Sequence, residues 1–250
     1  MPIAPAIAVF QVHVSLPEGS AANVLMLVRW IHFLAGITWI GLLYFFNLVS
    51  VPLLKELDGP TRSRVVPPLM TRALWWFRWA SVVTVLAGIS YWMNIVTTDA
   101  RNGNASPGTA IWSFFLIWTV AFAIEMGALM SPAEVLRKGA VFGLICGVAV
   151  FAAAYLYLAI NNDGWESNRL LSIGIGGGIG WFMMLNVWGV VWRMQKKIIR
   201  WTSENPGGAM PPALAKQARL AFLASRLNFV VSFFMLFFMG AASHYPMFGK

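Results

Sequence analysis

Six stretches of this sequence, at 30–52, 74–97, 110–130, 139–161, 170–192 and 219–242, are almost unbroken apolar chain. About 20 mainly apolar residues are needed for a helix to cross a hydrocarbon layer of roughly 30 Å, and only a helix or a closed barrel satisfies its own backbone there. Turn and charge signals separate the stretches: Asp58-Gly59-Pro60 and Pro67-Pro68, then Asn102-Gly103-Asn104 and Ser106-Pro107-Gly108. Ser131-Pro132, the run Asn161-Asn162-Asp163-Gly164, and Asn205-Pro206-Gly207-Gly208 with Pro211-Pro212 follow. The expected fold is all-α, a polytopic membrane bundle of six transmembrane helices. Composition agrees, since 59% of the 250 residues are apolar and 11% charged. A soluble domain carries about 25% charged residues, so an ordinary soluble enzyme and a disordered chain are both excluded. Cys146 is the sole cysteine, which rules out an intrachain disulfide and any CxxC or CxxCH motif.

Residues 1–27 are expected to form an outer N-terminal segment, 28–246 the six-helix membrane domain and 247–250 a C-terminal tail. Pro2, Pro5 and Pro17 favour an extended start, which lacks the basic n-region and long apolar core of a signal peptide. Loop 53–73 carries Lys55, Arg62, Arg64 and Arg72, and loop 131–138 carries Arg137 and Lys138. Loop 193–219 adds Arg193, Lys196, Lys197, Arg200, Lys216 and Arg219, against Arg101, Arg169 and Lys250 on the other side. Basic residues concentrate in cytoplasmic loops. Both termini are therefore expected on the periplasmic side of a bacterial inner (cytoplasmic) membrane, crossed several times. The net charge of +9 is read as this topology signal, with the lipid bilayer and not nucleic acid as partner.

Some patterns read as packing. Gly139, Gly143 and Gly147 recur every fourth residue, a spacing that lets helix backbones approach. The run Gly174, Gly176, Gly177, Gly178, Gly180 lies inside an apolar span with no strand before it, so a dinucleotide loop is rejected for close helix packing. The thirteen methionines scatter through the spans as filler rather than as copper ligands.

Charged groups inside spans are costly and call for a partner. Arg78, Glu125 and Arg226 fall at similar depth near the cytoplasmic side, and Glu125 is the one acid within a span, so a buried ion cluster of these three is expected. A structural pair, a proton path and a quinone head-group site are all open readings of it.

The three histidines are His13, His32 and His244. An even number of spans puts His32, near the outer end of the first, and His244, just past the last, at one depth on one face. Two imidazoles on facing helices are what a bis-histidine haem in a bundle requires. Gly36 and Gly240 each lie one turn deeper than their histidine, leaving room for a macrocycle, and Arg29 lies one turn outward, near where propionates would emerge. The cofactor-binding set is thus Arg29, His32, Gly36, Gly240 and His244, with His32 and His244 on the metal. A copper site that includes His13, and two plain interfacial histidines bonded to water and carbonyls, are the alternatives.

The same residues carry a family likeness. Val28-Arg29-Trp30-Ile31-His32 with Ala35-Gly36-Ile37-Thr38-Trp39-Ile40-Gly41 resembles the first helix of the N-terminal membrane domain of bacterial membrane-bound urate oxidases (urate hydroxylases). Trp76-Phe77-Arg78-Trp79 with Leu86-Ala87-Gly88, Met184-Leu185-Asn186-Val187-Trp188, and Phe237-Phe238-Met239 with Ser243-His244-Tyr245-Pro246 resemble later motifs of that family. The likeness runs from about residue 28 to 246. Family members commonly carry a cytochrome c domain after the membrane part, and these 250 residues hold no CxxCH. Where the family has further histidines, this chain reads Trp75-Trp76, the glycine run before Trp181, and Ser225-Arg226-Leu227-Asn228. The pair His32 and His244 is what the resemblance carries over. Together these readings lead us to expect an integral membrane electron-transfer subunit, with b-type haem near the periplasmic face, working with a periplasmic cytochrome or other membrane subunits. A cofactor-free accessory subunit, and a membrane urate oxidase using a separate cytochrome c, are the alternatives.

Overall fold

A computed structural model describes Pro17 and residues 19–248. Six helices in it are long and apolar enough to cross a membrane: α1 (Ser20–Glu56), α2 (Gly59–Asn102), α3 (Gly108–Met130), α4 (Gly139–Ile160), α5 (Asn168–Glu204) and α6 (Pro212–His244). Among the described residues there is no strand. The all-α six-span fold read from the sequence is the one found, and the protein is a multi-pass membrane protein. Large apolar side chains cover its outside, Phe151 at 75% exposure and Ile37 at 71% among them. A water-soluble chain would not present so much contiguous apolar surface.

Consecutive helices form three antiparallel hairpins, α1 with α2, α3 with α4, and α5 with α6. In α5, 72% of the most apolar stretch is buried, against 22% in α1, so α5 is the central helix and α1 a peripheral one. The glycine run explains how α5 gets there. Gly174 and Gly178, one turn apart, lie against the Tyr157 ring of α4 and the Trp118 indole of α3. Gly176 lies against the α6 backbone, where an added Cβ would come within 3.1 Å of Met235 O. The other small-residue row behaves differently. Gly139 is near Arg219 and Leu223, but a Cβ at Gly143 or Gly147 would meet nothing within 4 Å. Those two face outward, so the close packing expected of that row is confined to its first member.

The helices outrun their apolar cores. At 1.5 Å per residue the 44 residues of α2 span about 66 Å, twice a hydrocarbon layer. The expected break at Pro67-Pro68 is not there: both prolines lie inside α2. Each removes an amide N–H from the helix, but this stretch is past the apolar core, where water can bond the freed carbonyls of Ser63 and Arg64. The break falls at Asp58, which caps α2 by accepting from Thr61 N–H at 2.7 Å. Likewise α1 begins at Ser20, within the segment assigned to the N-terminal tail.

Two π-helical turns interrupt the ladder, Phe45–Ser50 in α1 and Val187–Val191 in α5. Each lies beside a buried asparagine that reaches α6. Asn47 Nδ2 donates to Ser225 Oγ at 3.1 Å, and Asn186 Nδ2 donates to Ala224 O at 3.1 Å and Asn228 Oδ1 at 2.9 Å. Asn228 Nδ2 returns a bond to Met183 O at 3.1 Å. π-turns re-aim side chains by inserting one residue, and here they tie α1 and α5 to α6. At the opposite end, Asp99 at the close of α2 accepts from Ser167 Oγ at 2.5 Å, and Asn168 Oδ1 accepts from Met247 N at 2.9 Å and Phe248 N at 3.1 Å. These bonds pin the start of α5 to the end of α2 and bring Met247 and Phe248 against it.

Candidate functional site

Near that end of the bundle, α1, α2, α5 and α6 do not close on one another. Between them lies a cavity of about 440 Å³, within the range of ligand sites. His32 enters from α1. Its Nδ1 is 2.8 Å from Thr84 O on α2. A carbonyl only accepts, so Nδ1 carries the proton and Nε2 keeps its lone pair. The ring fits because residue 88, one turn beyond Thr84, has no side chain: a Cβ there would stand 2.9 Å from His32 Cε1. Nε2 lies farther off, at 4.0 Å from that point, and makes no hydrogen bond among the described residues.

The charged groups around this cavity sit at one end. Arg29, one turn outward of His32, and Arg169, at the start of α5, both line it. Neither is in an ion pair among the described residues, and the Arg29 guanidinium lies 5.6 Å over the Phe33 ring. Deeper lining is apolar and aromatic, including Ile40, Trp92 and Phe114. Trp39 also lines it, and its buried indole N–H has no partner among the described residues. Gly36 lines it as well, with the Thr84 methyl 3.7 Å from where its Cβ would be.

His244 does not reach this space. It is the last residue of α6, it is exposed, and Ala242 and Ser243 line the cavity in its place. Gly240 is exposed too, with open space beside it. The reason is helical phase. α6 turns Met235, Met239 and Ala242 inward, and at 100° per residue positions 240 and 244 point well away from that row. The two histidines share a depth but not a face, so the expected His32–His244 pair is not brought together. His13 lies outside the described residues. Among those described, no group of three His, Cys, Asp or Glu side chains is placed to hold a metal ion.

The expected ion cluster is not formed either. Arg78 lies among tryptophans, its guanidinium 3.9 Å over the Trp192 ring and 5.7 Å over Trp188. Trp188 Nε1 donates to Arg78 O at 3.2 Å. Arg226 is held by Asn47 O at 3.5 Å and by the Phe222 and Phe229 rings. Glu125 is fully buried and neither carboxyl oxygen has a hydrogen-bond partner among the described residues. The arginines turn to aromatic rings and a carbonyl, Arg78 to tryptophans of α5 and Arg226 to Asn47 O of α1 and rings of α6, while Glu125 sits on α3, on the other side of α5. Among the described residues the one ion pair is the exposed Arg200–Glu204 at 2.9 Å.

Sequence reasoning missed Thr84, Gly88, Trp39 and Arg169 as parts of the site around His32. Gly88 and Arg169 left a signal, a lone glycine in an apolar helix and a basic residue on the side poor in them. Thr84 and Trp39 left none, since nothing in the sequence orients their helices. Comparison with protein-family models, with curated proteins and with solved structures finds no match for this chain.

Proposed function

We propose that this chain is an integral membrane electron-transfer subunit that holds a haem in the cavity between α1, α2, α5 and α6, with His32 as its one histidine ligand. The observation that carries the reading is the His32–Thr84 bond of 2.8 Å. A ligating imidazole is commonly fixed in tautomer and plane by donating its other N–H to a carbonyl or carboxylate, and His32 has that arrangement on a wall of the cavity. Of the two histidines, only His32 would hold the group, since His244 does not line the cavity. Arg29 and Arg169 suit the carboxylates of a propionate-bearing ring, the apolar lining excludes water, and Gly36 and Gly88 keep the His32 wall flat. Haem supplies a reversible one-electron iron couple when bound. The chain's own contribution is to orient His32, to neutralise two negative charges at the rim and to keep the site dry.

The partners proposed are a periplasmic cytochrome or a larger oxidoreductase complex, in a bacterial inner membrane with the basic end cytoplasmic. The resemblance to membrane urate oxidases supports a redox role. The few polar groups in the cavity favour electron transfer over purine oxidation, since a purine needs several directed hydrogen bonds.

The test is an absorption spectrum of the detergent-solubilised chain, expressed with haem supply. A Soret band is expected, lost in His32→Ala and retained in His244→Ala. No chromophore in the wild-type chain would overturn the reading and leave a cofactor-free accessory subunit. Loss in both variants would restore the bis-histidine pair.

A further inference from the structure

Residues 67–72 of α2 and 192–204 of α5 line a second, open cleft, of about 700 Å³, separate from the cavity of His32. Arg72 enters it from α2, and Lys196 and Arg200 from α5, with the hydroxyls of Thr71 and Ser203 beside them. Glu204 is the one acid there and is paired with Arg200 at 2.9 Å. Arg72 Nη1 donates to Pro68 O at 3.0 Å, and Lys196 has no partner among the described residues. Three cations against one anion leave a surplus of two positive charges in a concave site.

A continuous apolar lane leaves this cleft along α2. Arg72, Trp75, Trp76, Trp79, Val83 and Leu86 fall at helical spacing and are all exposed, the three tryptophans at 47%, 59% and 42%. Trp79 meets Trp188 of α5 edge-on at 5.3 Å, so the lane follows the same helix pair as the cleft. From residue 72 to 86 it runs about 21 Å at 1.5 Å per residue, enough to cross one leaflet of a layer roughly 30 Å thick.

A cationic cleft at the head of an apolar lane of leaflet length is complementary to an anionic amphiphile. The geometry points to a bound anionic phospholipid of the inner leaflet, its phosphodiester among Arg72, Lys196 and Ser203 and an acyl chain along Trp76 and Trp79. A soluble phosphate would use the cleft but not the lane. A solvated basic loop would need neither the concavity nor the exposed tryptophans beside it. Basic pockets between helices at the cytoplasmic surface are a recurrent way of holding anionic head groups.

The experiment is lipid retention by the full chain. The protein is equilibrated in nanodiscs of equal phosphatidylglycerol and phosphatidylcholine, extracted in mild detergent, and its retained lipids are counted by mass spectrometry. One phosphatidylglycerol per chain is expected in preference to phosphatidylcholine. Arg72→Gln or Lys196→Gln should each weaken that preference about fivefold, and the pair about thirtyfold, at about one kcal/mol per cation near an anionic surface. Lys55→Gln, an exposed basic residue outside the cleft, should leave it unchanged. Trp76→Ala should lower retention of both lipids without altering the preference, and inorganic phosphate at millimolar concentration should not displace the lipid. Equal retention of the two lipids, indifference to the paired variant, or displacement by inorganic phosphate would each overturn the proposal. The substituted side chains are exposed, and protection of buried Cys146 from a thiol reagent reports that each variant is folded.

Discussion

Replacing Gly178 with alanine puts a methyl group into the indole of Trp118, whose side chain is fully buried between α3 and α5. The same change at Gly143 puts it into open space, because nothing lies within 4 Å of that Cβ position. Both substitutions gain the same intrinsic helix preference, about 0.8–1 kcal/mol, so their difference isolates the overlap. Overpacking a tight core costs typically 1–3 kcal/mol and occasionally more, and a rigid indole between two helices has little room to move aside. For a chain of this size each kcal/mol is worth roughly 2–4 °C in Tm, so Gly178→Ala should melt about 2–12 °C below Gly143→Ala. The assay needs no added label site: Cys146 is buried and is the sole cysteine, so a thiol-reactive dye reads unfolding during a thermal ramp. Adding Trp118→Leu should recover part of the loss in Gly178→Ala, giving a favourable coupling in a double-mutant cycle. Equal midpoints for the two alanine variants would refute the packing assigned to the α5 glycines, and with it the central position of that helix.

Glu125→Gln should leave thermal stability equal to or above wild type in the same assay. No arginine loses a partner, and a carboxylate within a bilayer costs on the order of 2.5–3.5 kcal/mol by insertion scales; a fall of several degrees would reinstate the ion cluster. Asp58 makes the first turn of α2 sensitive to acid. The Thr61 amide bond, with the Thr61 side chain, holds the Asp58 carboxyl below its ordinary value. A lowered folded value means the contribution is present above the ordinary carboxylate range and is lost as pH falls through the folded value. Amide exchange at Thr61 should therefore accelerate in acid beyond the intrinsic rate in wild type but not in Asp58→Ala.

Span number and the asymmetry of basic residues were legible from the residues alone, because a 20-residue apolar run has one economical structure in hydrocarbon; helix ends were not, since α2 and α5 run on through the expected loops 53–73 and 193–219. His32 and Ser243, the neighbour of His244, do line one end of the bundle, and the turn read at Asp58-Gly59-Pro60 is where the chain breaks, although α2 starts there and not at 74. Phase was not legible. In a soluble helix polar residues mark the outward face, but lipid is as apolar as the core, so inward and outward residues look alike. That one ambiguity accounts for the main corrections. Gly178 packs and Gly143 does not, though both are small residues in apolar helices. Ala242 reaches the cavity of His32, and His244, two residues on, does not. Arg78 turns to Trp192 instead of Glu125 because α5 stands between α2 and α3, an arrangement fixed by which glycines let which helices approach. Sequence set what each helix is made of and how deep each residue lies; the packing of backbones about α5 decided which side chains meet.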